Sequence, residues 1–273
     1  MIETILVASD GSQCAQAAEG CAITLASKLS ASLTAMTVIE DRLVRPPASD
    51  GLSLPAFPET ELAAYHRARA DAVLRRFNER ARNAGLNVSC DVVQGTADDR
   101  IVERSLASSL TVLGRDSRTE AVRGGLFGST AEAVTRKTTK PVLIVPSGAT
   151  LSGPIVLGFD GSPGSRLAAK LTVFLANGLG EQVHVFVDSK DKGRAITRFE
   201  EVRKLVVGLA NPIRETSSTL GRPDVKLVDA ARDAGAGLII MGAFGRNRIT
   251  DFFTGSNAAA VARTSPVAVL LAR

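Results

Sequence analysis

Four small residues near the end of the sequence have the spacing of a phosphate-binding loop. Gly242, Gly245 and Gly255 are followed directly by Ser256, and a basic, Phe-containing loop lies between them. Without β-carbons, Gly242 and Gly245 can turn with unusual φ values and let main-chain N–H groups approach a ligand. Amides at the start of a helix attract anions through the helix dipole. The spacing therefore predicts a polyphosphate site, with the Ser256 hydroxyl as a further donor or a metal ligand.

The same residues also fit a plain tight turn followed by a helix N-cap. Asp160 favours the ligand interpretation, because a carboxylate at the end of the first strand of its half would accept hydrogen bonds from ribose hydroxyls. Arg246 and Arg248 could pair with phosphate oxygens or lie in solvent. No Gly-Lys-Ser/Thr follows the glycines and no GxGxxG follows the first strand. The sequence therefore disfavours a P-loop NTPase and a dinucleotide-binding protein.

The chain repeats itself, and the order of the repeated segments is the same in both copies. "ILVASDGSQCAQAA" at 5–18 matches "IVLGFDGSPGSRLAA" at 155–169, and "FGSTAEAVTRKTTKPVLIVPS" at 127–147 matches "TGSNAAAVARTSPVAVLLA" at 254–272. Internal similarity of this length indicates a duplicated domain.

We predict one domain at 1–148 and a second at 153–273, joined by a linker of small residues. The first copy carries an additional Pro-, Ser- and Gly-rich segment at 41–60. This segment is predicted to be a surface loop, either a functional lid or an unstructured insertion.

Each copy alternates short apolar runs with longer amphipathic segments, the pattern of a parallel sheet covered by helices on both faces. The predicted fold is α/β, with two open doubly wound five-stranded sheets of order 3-2-1-4-5. In such a sheet, ligands bind where the strand order reverses, here between strands 1 and 4. The strands are predicted near 3–8, 32–39, 87–93, 110–113, 141–145, 154–159, 182–187, 212–219, 237–241 and 266–271. The helices are predicted near 12–29, 60–84, 98–108, 129–138, 163–177, 193–209, 224–234 and 256–263.

The composition narrows the classes of partner. Residues 1–150 hold 17 basic and 17 acidic residues, so 151–273, with 16 against 11, carries the whole net charge of +5. Aromatic residues make up only 4% of the chain and do not interleave with a basic stripe, which disfavours nucleic acid. The apolar runs are shorter than the roughly 20 residues that span a bilayer. With no secretory signal pattern, we expect a cytoplasmic protein that does not enter membranes.

The reactive residue types form no recognisable catalytic or metal-binding set. The three cysteines include no CxxC pair, and neither His66 nor His184 has a spaced partner for a triad or a metal centre. We therefore predict no catalytic residues and no metal site made by protein ligands alone.

The second copy resembles the universal stress protein family, whose nucleotide signature is Gly, two residues, Gly, nine residues, Gly, then Ser or Thr. The whole chain resembles a tandem universal stress protein. The resemblance implies that the copies pair through their last strands as an intramolecular pseudo-dimer. It also implies a site for ATP, or for ADP or AMP, with Mg²⁺ joining through the phosphates. The nucleotide-binding residues are expected to be Asp160, Val187, Met241, Gly242, Gly245, Arg246, Gly255, Ser256 and Asn257.

The first copy departs from this signature. Ser117 replaces the second glycine, and ten residues instead of nine separate it from Gly128. A serine there disfavours positive φ, so the phosphate loop is expected to be altered. A weaker second site is predicted at Asp10, Val38, Gly114, Gly128 and Ser129.

These patterns predict a stress or signalling protein in which an adenine nucleotide acts as a regulatory ligand, mainly in the second copy. Two alternatives stay open. One is an interaction or scaffold protein that binds no nucleotide. The other is an ATPase, whose hydrolysis would be slow because no general base or arginine finger is evident in the sequence. A protein partner and a further homodimer are compatible with the sequence.

Overall fold

The computed structural model describes residues 2–41, 59–116, 129–219, 221–243 and 257–273. Strands and helices alternate along these residues. The strands are β1 (Thr4–Ala8), β2 (Ser32–Glu40), β3 (Val88–Gly95), β4 (Leu110–Gly114), β5 (Val142–Val145), β6 (Ile155–Gly158), β7 (Val183–Asp188), β8 (Arg214–Ser218), β9 (Leu238–Gly242) and β10 (Ala268–Ala272). The helices are α1 (Gln13–Leu29), α2 (Glu59–Asn83), α3 (Ala97–Ser105), α4 (Ser129–Lys137), α5 (Pro163–Leu179), α6 (Lys192–Leu205), α7 (Pro223–Asp233) and α8 (Asn257–Thr264).

The strands form one ten-stranded sheet of order β3-β2-β1-β4-β5-β10-β9-β6-β7-β8. Within each half the neighbouring strands are parallel, and the order 3-2-1-4-5 is confirmed in both halves. The predicted pairing of the last strands is also confirmed. β5 and β10 are antiparallel, with Leu270 opposite Leu143 and Val269 opposite Ile144.

The helices cover both faces of the sheet, as a doubly wound fold requires. On one face, α1, α2, α5 and α6 share a single apolar cluster that runs through both halves. On the other face, α3 and α4 cover the first half, and α7 and α8 cover the second. Because β5 and β10 are antiparallel, the carboxyl ends of the strands point in opposite directions in the two halves. The two candidate sites therefore lie at opposite edges of one sheet.

Both copies start their first helix with the same local signal. Ser12 and Ser162 are N-caps whose side chains accept hydrogen bonds from Ala15 and Ser165 amides, each at 3.2 Å. At the other end of α5, Gly180 closes the helix in the left-handed conformation. The predicted helices are confirmed with small differences in their bounds. The largest is in α6, which ends at Leu205 and not near 209, because Gly208 and Pro212 lie in the following segment.

The segment predicted as a loop at 41–60 lies largely outside the described residues. Asp41 is the last described residue before it, and α2 begins at Glu59. Its role as a lid or an insertion stays a prediction.

Candidate functional site

The turn after β6 places a carboxylate at the carboxyl edge of the second half. Asp160 Oδ1 accepts a hydrogen bond from the Ser162 amide at 2.9 Å, and Gly161 between them has a φ of +74°. Positive φ strongly favours glycine, so this position needs Gly161 for the turn to close. The turn leads directly into α5. It holds Asp160 at the end of β6, where the side chain is exposed to solvent.

Asp160 is held in its charged form. Partial desolvation raises the pKa of its carboxyl group, but hydrogen bonds from Ser162 and Ser165 outweigh that effect, and the pKa lies below its ordinary value. At neutral pH, the group is a carboxylate with oxygen lone pairs available to an approaching hydroxyl.

Gly242 closes the strand next to β6, and its role differs from the predicted one. It is not among the glycines with positive φ. A β-carbon on Gly242 would lie 2.7 Å from the carbonyl carbon of Gly164 and 2.8 Å from the amide nitrogen of Ser165. The missing side chain therefore lets the first turn of α5 pack directly against the end of β9. The expectation of an unusual φ at Gly242 is wrong, because close helix–strand packing is what requires glycine there.

Val187 and Met241 lie on the strands on either side of β6. Phe186 and Met241 both pair with Gly158 in the sheet register, so the three strands end at the same level. The Val187 side chain is fully buried in the core, whereas Met241 is partly buried on the opposite face. A ligand at this edge would meet Val187 through its main chain. The structure thus brings Asp160, Val187, Met241 and Gly242 to one edge of the sheet.

The remaining predicted residues of this site are only partly described. Asn257 is exposed and begins α8. Gly245, Arg246, Gly255 and Ser256 lie outside the described residues, as does Arg248, so their places in the site stay predictions.

The first half repeats the turn and the close packing. Asp10 Oδ1 accepts a hydrogen bond from the Ser12 amide at 2.9 Å. A β-carbon on Gly114 would lie 2.7 Å from the carbonyl carbon of Cys14 and 2.8 Å from the amide nitrogen of Ala15. Asp10 and Gly114 therefore have the same positions relative to the first helix of their half as Asp160 and Gly242 have in the second. Gly128 lies outside the described residues. Ser129 is the first residue of α4, and the described structure does not include its side chain.

Val38 lies one residue beyond the position that matches Val187 in the sheet register, and its place in a second site stays a prediction. Ala8 pairs with Met36, and its counterpart Gly158 pairs with Phe186. The next residue in each strand is Thr37 in the first half and Val187 in the second. Thr37 Oγ1 donates to the Ser9 carbonyl at 2.9 Å. Val38 instead corresponds to Asp188, which lies on the other face of the sheet.

Asp188 is a residue of this edge that the sequence patterns did not single out. Its Oδ1 is buried without a hydrogen-bond partner among the described residues. Desolvation raises the pKa of the carboxyl group, although a hydrogen bond with Ser218 lowers it in part. An aspartate directly after an apolar strand was the available signal, and Asp160 was recognised by that same signal.

A buried ionic network underlies the turn of the first half and was also missed. Glu19 is fully buried; its carboxylate accepts from Ser9 Oγ at 2.5 Å, from Arg76 Nη2 at 3.1 Å and from Arg80 Nη1 at 2.6 Å. The Gly11 amide in turn donates to Ser9 Oγ at 3.2 Å. These contacts tie the turn to α1 and α2.

The second half has an apolar version of this support. The counterparts of Ser9 and Glu19 in the repeat are Phe159 and Ala169, both buried in the core. The same turn is therefore held by a polar network in one half and by apolar packing in the other.

A carboxylate also stands beside the start of α1 in the first half. Asp116 Oδ2 accepts from Arg115 Nε at 3.0 Å and from Cys14 Sγ at 3.5 Å. Burial raises the pKa of the Cys14 thiol, which keeps it neutral and a donor. The described part of the second half has Ala243 in place of Arg115 and Gly164 in place of Cys14. The surroundings of the two turns thus differ in charge.

Among the described residues, no group of three or more His, Cys, Asp or Glu side chains is placed to hold a metal ion. Within the same residues, every helix is too short or too polar to cross a bilayer.

Comparison with known proteins defines the class. The model of the universal stress protein family matches residues 1–146 and again 152–273. The chain therefore belongs to the universal stress protein family and is a tandem member, with two such domains in one polypeptide.

Two of the similar proteins match this chain over nearly its full length, and a third matches about half of it. A universal stress protein of Synechocystis is 26% identical over 100% of both chains. The crystal structure of a universal stress protein from Archaeoglobus fulgidus is 18% identical, covers 99% of this chain and 98% of its own, and gives a TM-score of 0.78. A universal stress protein solved in complex with cAMP is 25% identical over 52% of this chain and 95% of its own, with a TM-score of 0.36.

Proposed function

We propose that the protein binds an adenine nucleotide in its second half and uses it as a regulatory ligand in a stress response. The observation that carries the proposal is the position of Asp160. It lies at the end of β6, beside the end of β9, at the point where the strand order reverses. Open α/β sheets bind ligands at that point.

The chemistry of this edge suits a nucleoside. The Asp160 carboxylate can accept hydrogen bonds from two adjacent ribose hydroxyls. The Val187 main chain and the partly buried Met241 side chain border the place where a base would lie. Gly242 brings the start of α5 close to that place.

The phosphates are assigned to the signature loop and the start of α8. In this proposal, main-chain amides of Gly245, Gly255, Ser256 and Asn257 donate to phosphate oxygens, and Arg246 supplies a counter-charge. Mg²⁺ would enter with the phosphates, whose oxygens it prefers as ligands. ATP is the proposed ligand, with ADP or AMP as alternatives.

The first half is proposed as a weaker or altered site. Asp10 and Gly114 have the required positions, and the Asp116 carboxylate beside the start of α1 is already paired with Arg115. With Ser117 in place of the second glycine, the first half has less capacity to hold a polyphosphate. We expect a cytoplasmic protein whose nucleotide state controls a protein partner, and a further homodimer is compatible with the outer strand edges.

Thermal unfolding with ATP, ADP, AMP and adenosine tests the proposal. A ligand at one hundred times its dissociation constant should stabilise the protein by about 2.7 kcal/mol. Gly245→Val should abolish the shift in unfolding temperature, because the new side chain obstructs the ligand. The fold should persist, because the ligand loop is expected to lie outside the core. No shift with any adenine compound would reject the proposal in favour of a protein-interaction role. Release of phosphate by wild type, lost in Ser256→Ala, would instead support slow ATP hydrolysis.

A further inference from the structure

The last helix of each half ends against an arginine from the other half. Arg115 Nη1 donates to the Ser265 carbonyl at 2.8 Å, just after the last turn of α8. Arg273 Nη1 donates to the Thr138 carbonyl, just after the last turn of α4. Ser265 and Thr138 are equivalent in the repeat, but the two arginines come from different positions in their halves.

A guanidinium at the end of a helix is well placed energetically. The last carbonyls of a helix lack intrahelical donors, and the helix dipole makes that end negative. Arg115 is held in this place by two further contacts. Its Nε donates to Asp116 Oδ2 at 3.0 Å, and its amide donates to the Val145 carbonyl at 2.8 Å.

The other end of α8 belongs to the proposed nucleotide site. α8 begins at Asn257, directly after Gly255 and Ser256, so its two ends are only about 12 Å apart. Near the Ser265 end, Ala262 packs into the apolar cluster of the first half. The first half therefore fixes the end of α8 that points away from the phosphates.

We propose that Arg115 is a positioning residue for the nucleotide site of the second half. By holding the Ser265 carbonyl, it sets the direction in which the α8 amides face the phosphates. This inference rests on the proposed function. It makes the site depend on both copies of the repeat, although only one copy carries the intact signature.

Titrating the full-length protein with ATP and with adenosine tests the inference. Arg115→Ala should weaken ATP binding by about 2- to 30-fold, the range expected for residues that act through others. Adenosine affinity should stay unchanged, because adenosine has no phosphates for α8 to meet. Arg115→Lys keeps the charge and should recover most of the ATP affinity.

Arg273→Ala is the matched control. It removes the corresponding cross-half hydrogen bond from α4, so it carries a similar structural cost, yet it should leave ATP affinity at the wild-type value. If Arg115→Ala fails to fold, Asp116→Asn loosens the same guanidinium more gently. That variant should show the same selective loss in smaller size.

The titrations distinguish failure of the positioning role from failure of the proposed nucleotide binding. Wild-type protein that binds no ATP would overturn both. If the wild type binds ATP, three results would overturn the positioning role alone. Arg115→Ala could lose affinity for ATP and for adenosine equally, or it could lose no affinity for ATP. Alternatively, Arg273→Ala could lose as much ATP affinity as Arg115→Ala.

Discussion

At the residue scale, the proposed site depends on Asp160 being charged and on Gly242 lacking a side chain. Both residues were predicted from the sequence, Asp160 because it follows an apolar run and Gly242 because of the signature spacing. The reason for Gly242 could not be predicted, since the first turn of α5 lies against it only in the folded protein. The one-residue offset between Val38 and the register position of Val187 has a similar origin, because strand register is set by pairing and core packing across the sheet.

Asp160 should make the stability of the protein depend on pH in the acid range. Its pKa is lower in the folded protein than its ordinary value. Its ionised form therefore stabilises the fold fully above the unfolded-state pKa of about 3.9, and this contribution is lost as the pH falls through the folded-state pKa. Urea unfolding of wild type and Asp160→Asn should differ by a constant amount between about pH 5 and about pH 8, and the difference should shrink as the pH falls below about 4. A difference that persists at the lowest pH would contradict this origin.

Gly242→Ala should destabilise the protein by about 1–3 kcal/mol, because the new methyl group meets the main chain of α5 and cannot be accommodated by a rotamer change. Gly20→Ala in α1 is the control, since a β-carbon there meets only the end of Arg80, at 3.4 Å. That change should be neutral or stabilising, by up to about 1 kcal/mol, because alanine favours helix. Urea denaturation measures both, and a neutral Gly242→Ala would show that α5 can move away from β9.

At the element scale, the helices and strands were largely predictable from periodicity and capping residues. Ser12 and Ser162 mark the starts of α1 and α5, and the apolar runs mark the strands. What joins α1 to α2 was not predictable. Glu19 and Arg80 are far apart in sequence, and nothing in their local patterns indicates that they meet.

Glu19→Gln should destabilise the protein by about 2 kcal/mol. Removing one partner of a fully buried ion pair typically costs about 3–5 kcal/mol. We expect less here because the side chains of Arg76 and Arg80 are each 39% exposed. Chemical denaturation gives the value.

Arg67→Ala is the control for that measurement. Arg67 pairs with Asp71 one turn further along α2, with side chains 60% and 42% exposed. Its loss should cost less than about 0.5 kcal/mol. If both changes cost the same small amount, the Glu19 network would be no stronger than a surface pair.

At the scale of the whole molecule, the two repeats form one structure. β5 and β10 join the two half-sheets, and one apolar cluster extends across the junction. The duplication and the pairing of the last strands were predictable from the repeat and the family resemblance. The two cross-half arginine contacts were not, because Arg115 and Arg273 occupy different positions in their repeats.

Leu143→Ala should lower the stability of both halves together. Leu143 is buried at the junction, opposite Leu270, and truncating a core leucine costs about 2–5 kcal/mol. Hydrogen exchange followed separately in β1 and in β6 should show the same decrease in opening free energy. Protection lost in the first half alone, with a second unfolding transition for the other half, would mean that the repeats are independent domains.

Binding of a nucleotide at the Asp160 edge can be measured by calorimetric titration with ATP. We predict one tight site per chain in wild type and in Asp10→Asn. Asp160→Asn, which keeps the shape of the turn, should bind ATP at least about tenfold more weakly, as expected when a hydrogen bond to a charged group is lost. Absence of binding in wild type, or a loss caused by Asp10→Asn and not by Asp160→Asn, would contradict the account.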